Sequence, residues 1–338
     1  MSAPLRVGVI GLGARCVIAE NCHKATIPAE LVGGCDPNPA MRQRATEVLG
    51  DYPWFETLDE LLELGIDCAI VTSPDDTHED ITCALLEAGV AVYLEKPIAI
   101  TIEGSDRVLE TAYRTKTPLY VGHNMRHMAV VRILRQVVQD GLIGEVRAIW
   151  CRHFVGNGGD YYFKDWHADR SRTTGLLLQK AAHDIDVMNW LSDSVPERVV
   201  GMGDLMLYGK LSDRSGQKSD AVMSDWFSFD NWPPASLTGL NPVIDFEDVS
   251  MLMMRQASGT LISYEQCHFT PDYWRNYTVI GTEGRAENFG DGEGGVVRVW
   301  KHRSGWEPTG DIEIPIKGDA GGHDDADVAT MDEFLRFV

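Results

Sequence analysis

The stretch Val7-Gly8-Val9-Ile10-Gly11-Leu12-Gly13-Ala14-Arg15-Cys16 runs from an apolar strand through two closely spaced glycines into a helix start. A dinucleotide pyrophosphate needs that order, because glycine lets the backbone come close and the helix N-terminus presents unpaired N–H groups. Gly11 reads as the tight turn and Gly13 as the point of closest approach. Ala14 and Arg15 open the helix, and Cys16 stands at its packing position, where Gly or Ala is usual. Outward from this turn, strand-like runs Arg6–Ile10, Leu31–Cys35, Cys68–Thr72, Val90–Leu94 and Leu119–Gly122 alternate with helix-period runs Met41–Leu49, Thr57–Leu64, Thr77–Ala88 and Ile102–Tyr113. The alternation predicts an α/β domain with a doubly wound parallel sheet over residues 1–123.

The texture changes over residues 124–338. After a helix at Ala129–Asp140, β-rich runs follow at Glu145–Val155, Arg198–Leu207, Glu247–Gln256, Gly259–Phe269, Tyr277–Ile280 and Gly295–His302, with short turns such as Ala257-Ser258-Gly259. They predict an α+β domain with a largely antiparallel sheet. Gly209 to Phe246 is rich in Ser, Asp and Pro but carries Trp226, Phe227, Phe229 and Trp232, which argues for an ordered loop with a task. The last ten residues read as an interrupted helix with Val328, Met331, Phe334, Leu335 and Val338 on one face, as expected of a chain cut short of a longer protein.

Thirty Lys and Arg against 51 Asp and Glu give a net charge of −21, which would repel nucleic acid and anionic membranes and leaves small molecules as the expected partners. Seven cysteines without a CxxC pair predict neither a disulfide framework nor a metal site. With no apolar leader after a basic stretch, a cytoplasmic enzyme without a membrane span is expected. One stretch runs against the overall charge. From His123 to His183, nine Lys or Arg face five acids, so either an anion-attracting cleft or exposed helix charges lie there.

Asp36 follows the second strand at the offset expected of a carboxylate that binds the adenosine ribose, which favours NAD over NADP. Arg42 and Arg44 in the next helix would act the other way. Two later strand ends carry polar groups where doubly wound sheets bind ligands: Thr72, Ser73, Pro74 and His78, then Glu95-Lys96-Pro97. A lysine there is placed to reach nicotinamide and substrate.

The glycine turn, Glu95-Lys96-Pro97 and the segment Gly175-Leu176-Leu177-Leu178-Gln179-Lys180-Ala181-Ala182-His183-Asp184-Ile185-Asp186 together resemble the Gfo/Idh/MocA family of glucose–fructose oxidoreductase-like and inositol dehydrogenase-like enzymes. The resemblance implies a Rossmann domain followed by an open, mostly antiparallel sheet through which dimers or tetramers assemble. It implies hydride chemistry on sugars, cyclitols or related pyranosides with NAD. Carried over by position, Lys96 matches the catalytic lysine and His183 the histidine that closes an Asp-x-x-x-His motif, with Asp186 one turn on. Gln179 departs from the pattern: it stands where the aspartate is usual and cannot carry a proton, and Lys180 beside it resets the local charge.

A helix from about Thr174 would put Gln179, His183 and Asp186 on one face. His183 is then the expected base and Lys96 the polarising group, because histidine titrates near neutrality without help. Asn124 is expected at the nicotinamide ribose or carboxamide, and Trp166 and His167 at the cleft edge. Arg126, Arg152, Lys164, Arg170, Gln179 and Lys180 are expected to bind substrate, which would favour an anionic, for example sulfonated or uronic, sugar. Three functions remain open: a dehydrogenase or reductase, an NAD-dependent glycosidase working by transient oxidation and elimination, and a silent NAD or sugar sensor, against which the retention of Lys96 and His183 argues.

Overall fold

The computed structural model describes residues 3–218, 220–317 and 324–338. Strands β1 (Leu5–Ile10), β2 (Ala29–Cys35), β3 (Trp54–Phe55), β4 (Cys68–Val71), β5 (Ala91–Leu94) and β6 (Leu119–Val121) form a six-stranded parallel sheet in the order β3-β2-β1-β4-β5-β6. Strands β4 and β5 are buried at every residue, as the apolar runs of a sheet covered on both faces must be. The order reverses between β1 and β4, which opens a crevice at their carboxyl ends. Helices α1 (Pro39–Leu49), α2 (Leu58–Leu62), α3 (His78–Glu87) and α4 (Ile102–Thr115) make the crossovers. Their starts are written in the sequence: Asn38 caps α1 ahead of Pro39, a Thr57/Glu60 capping box opens α2, and Thr101 caps α4.

The segment after the glycine turn, Ala14–Lys24, is a 3-10 helix rather than the α-helix that periodicity suggests. Its buried residues include Cys16, Ala19 and Cys22, and a spacing of three is the period that 3-10 geometry stacks on one side.

The second sheet has eight strands: β7 (Val146–Val155), β8 (Pro196–Asp204), β9 (Val249–Gln256), β10 (Leu261–Cys267), β11 (Tyr273–Gly281), β12 (Arg285–Phe289), β13 (Val296–Trp300) and β14 (Ile312–Pro315). Central β7 runs antiparallel to β11 and parallel to β10, and the remaining pairs are antiparallel. Along β7, Ile149, Cys151, His153 and Val155 are buried while Trp150 and Arg152 point out, the period-two pattern of a sheet with one covered face. Helices α5 (Ala129–Gln139) and α9 (Ala181–Ser192) pack on the covered face. Short helices α6 (Gly158–Tyr162), α7 (Arg170–Thr173) and α8 (Leu176–Gln179) lie between β7 and α9. The opposite face exposes Trp150, Val200, Met202, Met251, Met253 and Leu261.

Helix α10 (Asp324–Phe337) returns to the first domain. Its Met331, Phe334 and Leu335 are buried with Leu12, Cys16 and Tyr93 in that core, each burial contributing roughly 1.5–3 kcal/mol. Among its described residues, the long Gly209–Phe246 segment carries short 3-10 turns at Tyr208–Lys210, Met223–Asp225 and Pro234–Ser236. It too crosses to the first domain, where Val222 joins the same cluster.

Candidate active site

The glycine turn is shaped by close contact on one side and openness on the other. Gly11 has φ +87°, and a β-carbon there would lie 2.4 Å from the Ser73 nitrogen, so no other residue fits. A β-carbon on Gly13 would meet nothing within 4 Å, which leaves the room a pyrophosphate needs. Thr72 braces the turn by donating from Oγ1 to the Gly11 carbonyl at 2.7 Å. The Asp36 carboxylate accepts from the N–H groups of Leu12 and Asn38, both at 2.8 Å, and Arg42 donates to the Asp36 carbonyl at 2.6 Å.

Arg15 does not face open space. Its guanidinium meets Glu95 at 2.6 Å and both oxygens of Asp327 at 2.5 and 2.8 Å, which ties the turn and the strand end to α10. Asn124, 2 % exposed, donates to the same Asp327 at 2.8 Å, while its Oδ1 has no partner among the described residues. A buried amide oxygen with no protein partner suits a polar ligand group such as the nicotinamide end of a dinucleotide. Ser73 and Pro74 both accept from the Thr77 hydroxyl at 2.7 Å, and the His78 ring spans the Ser73 and Pro97 carbonyls at 2.9 and 2.7 Å. The contacts of His78 thus join two strand-end loops.

Lys96 crosses the crevice and donates from Nζ to the Gln179 carbonyl at 2.7 Å, so the first strand-end lysine meets the segment before α9. Burial pulls its proton affinity below the usual lysine range, and burial likewise raises that of the neighbouring carboxyl Asp75. Asp75 Oδ2 and Gln179 Oε1 are further buried atoms with no partner among the described residues. His183, 6 % exposed, sits in the first turn of α9.

Two sequence expectations are corrected here. The helix expected from Thr174 is broken: α8 ends at Gln179, and Lys180 lies between it and α9, so Gln179 does not share a helix with His183. Asp186, three residues after His183 on α9, is held by Arg126 in a two-point pair at 2.6 and 2.7 Å. The basic stretch is mostly neutralised by partners, some one helical turn away and others far apart in sequence. Lys164 pairs with Asp160 at 2.7 Å, Arg170 with Glu247 at 3.1 Å and Arg172 with Asp76 at 3.2 Å. Arg152 points to the outer face of the sheet, where it donates to Asn276 at 2.6 Å, because alternation along β7 puts His153 inside and Arg152 outside. Trp166 stacks on His167 at 3.8 Å with Arg172 over its ring, and His167 also contacts Asp165 at 2.7 Å. Lys180 is different: it is 7 % exposed, and its Nζ bonds the Tyr273 hydroxyl at 3.2 Å.

Beneath the site lies a charged network that sequence reading missed. Asp184, fully buried, contacts His153 at 3.0 Å, Arg275 at 3.1 Å and the Tyr264 hydroxyl at 3.1 Å, and also accepts from Tyr277. Burial opposes its charge, but His153 and Arg275 outweigh that and hold the carboxyl below its ordinary range. Burial and Arg275 lower His153 to about 3. Its one sequence signal is the acid directly after His183.

Residues 5–123 match a family model described as an oxidoreductase family with an NAD-binding Rossmann fold, and residues 131–287 match the GFO/IDH/MocA C-terminal domain. The protein YteT of Bacillus subtilis (strain 168) is 26 % identical over 299 residues, 77 % of this chain and 70 % of YteT. An inositol 2-dehydrogenase of Serratia proteamaculans (strain 568) is 30 % identical over 197 residues, 56 % of this chain and 55 % of the enzyme, so the match spans little more than half of that relative. Among solved structures, a levoglucosan dehydrogenase in complex with NADH and levoglucosan superposes with a TM-score of 0.77 at 17 % identity, covering 99 % of this chain and 89 % of that one. Among the described residues no helix is long and apolar enough to cross a membrane.

Proposed function

The chain belongs to the Gfo/Idh/MocA oxidoreductase family, with an NAD-binding Rossmann domain, and from that premise we propose that it moves a hydride between NAD and a hydroxyl-bearing carbon of a sugar or cyclitol. The observation that carries this reading is the bond from Lys96 to the Gln179 carbonyl at 2.7 Å, because it sets the strand-end lysine against the segment that leads into His183. The inositol dehydrogenase and levoglucosan dehydrogenase likenesses support the substrate class.

The residues fit the cofactor. The Gly11–Gly13 turn would receive the pyrophosphate, Thr72, Ser73 and Pro74 would line its path, Asp36 would face the adenosine ribose, and Asn124 Oδ1 would accept from the nicotinamide end. Bound NAD supplies the hydride acceptor. Lys96 polarises the reacting oxygen, and His183 takes the hydroxyl proton as the carbonyl forms. Arg15 and Glu95 act behind the site by fixing the turn against the strand end.

The ion pairs of Arg126, Lys164 and Arg170 withdraw these cations from an anionic substituent, so a neutral polyol is the better-supported substrate and Lys180 alone would favour an anionic one. The exposed Met and Val face of the second sheet supports assembly into a homo-oligomer. The test of function is turnover of a polyol panel with NAD. NADH that accumulates with sugar oxidation supports the reading, no NADH with any polyol overturns it, and glycoside cleavage without NADH build-up would favour the glycosidase.

A further inference from the structure

Lys180 poses a problem of charge. It is 7 % exposed, and among the described residues no carboxylate lies within 4 Å of its Nζ. An ammonium taken out of water at such a depth costs several kcal/mol unless an anion faces it. What surrounds it is aromatic: the hydroxyl of Tyr273 at 3.2 Å, and the rings of Tyr273 and Tyr162 at 5.6 and 5.7 Å. Tyr273 starts β11 opposite Val155, on the same sheet face as His153 and Arg275. The Arg275 guanidinium lies 5.7 Å from its ring, and the neutral His153 ring meets it edge-on at 5.8 Å. From α6, Tyr161 and Tyr162 face the same hydroxyl without bringing positive charge. Burial works against ionisation of Tyr273, but Arg275 and Lys180 overturn it and lower the phenol to about 8. Tyr273 keeps 40 % of its surface exposed, so it also touches solvent.

Resting on the function just argued, we propose that Tyr273, as a phenolate held by Lys180, is the proton-relay residue that carries away the proton His183 takes from substrate. Lys180 and His183 are three positions apart at the start of α9, hence neighbours on one side of it. As the hydride leaves carbon with its electron pair, the substrate O–H bond breaks, its proton bonds the imidazole, and C=O forms. The imidazolium then stands one turn from Lys180, the N-cap of α9, and that repulsion drives its proton onto the phenolate oxygen, directly or through one water. From the exposed edge of Tyr273 the proton reaches solvent. A carboxylate at position 179 would serve the same purpose, and Gln179 cannot.

Tyr273→Phe, Lys180→Met and Lys180→Arg test this, with myo-inositol and D-glucose as probe substrates and NAD affinity by calorimetry as the check on folding. Tyr273→Phe should keep NAD affinity but lose about tenfold or more in kcat, with partial rescue by imidazole buffer. The rise of kcat through pH about 8 should vanish in that variant, move up by about a unit in Lys180→Met and persist in Lys180→Arg. A kcat within twofold of wild type with an unchanged pH profile overturns the relay and leaves the functional reading intact. If the wild type oxidises neither probe nor any other polyol, the functional reading falls. Tyrosinate absorbance then judges the pair by itself: a Tyr273-dependent titration near pH 8 sustains it, and none below the ordinary value of about 10 overturns it.

Discussion

Arg44 on α1 pairs with Asp225 at 3.4 Å and donates to Ser224 at 2.9 Å, so a loop of the second domain holds an arginine that could otherwise favour a 2′-phosphate. Arg42 is engaged by the Asp36 carbonyl. The Asp36 carboxylate is thereby left to set the charge at the adenosine end. NAD should bind more tightly than NADP, and Asp36→Ala should narrow the gap. Asp225→Ala with Ser224→Ala should tighten NADP only a few-fold, because a half-exposed ion pair is worth about 1 kcal/mol or less. Equal NAD and NADP affinities in the wild type, by calorimetry, would remove Asp36 from this role.

Lys96→Ala and His183→Ala should each leave NAD affinity within a few-fold and lower turnover by roughly a hundredfold, the scale of lost acid–base catalysis. Lys96→Arg should not rescue: the buried end has to reach one carbonyl oxygen at 2.7 Å, and a planar guanidinium does not occupy the place of a compact ammonium. Near-normal rates in either alanine variant would take that residue out of the mechanism.

Arg15 should matter for stability as well as for the cofactor. Arg15→Ala breaks the two-point bond to Asp327 and leaves that carboxylate with Asn124, which should cost about 2–3 kcal/mol and loosen α10. Hydrogen exchange that leaves α10 as protected as in the wild type would show that its apolar residues hold it without the pair.

What the sequence made legible follows from the range of each signal. The glycine turn, the strand ends and the capped helices are local patterns, and Gly11, Lys96 and five of the six parallel strands can be read from them, whereas β3, with two residues, is too short to show a pattern. Many of the ion pairs are not local. Arg126 and Asp186, or Arg170 and Glu247, lie 60 and 77 residues apart, so a count of charges reported a surplus that the fold cancels. The break at Lys180 was hidden because Leu176 to His183 keeps helical spacing across it. Strands β12 and β14 have five and four residues, too few for alternation to stand out.

The exposed side of the second sheet should be a contact between copies of the chain. Val200 lies across from Met253, and Met202 across from Met251, so four apolar side chains share one face at 53–76 % exposure. Met253→Asp should convert the assembly to a smaller species in sedimentation without reducing NAD affinity. A wild type that sediments as a monomer would remove this contact.

The last prediction concerns acid. His153 and His268 are buried, and burial leads in lowering both, His153 to about 3 and His268 well below its ordinary value. In the unfolded chain each takes a proton near pH 6.5, so the unfolded state binds more protons below that pH. The stability that goes with these neutral rings is therefore complete above pH about 6.5 and is lost as pH falls from there toward 3. Asp184, held below the carboxylate range against the opposing effect of burial by His153 and Arg275, acts in the same direction at lower pH: its contribution is present above about 4 and fades below it. The unfolding free energy should be nearly level above pH 7 and should fall steadily from about 6.5 to 4, by a total on the order of a few kcal/mol, and the melting temperature should follow it. His153→Asn keeps an N–H donor near the Nδ1 position that faces Asp184 but does not titrate, so its curve should fall less steeply over that window even though its melting temperature at pH 7 is lower. Curves for wild type and variant that run parallel from pH 7 to 4 would mean that His153 is not the group that titrates.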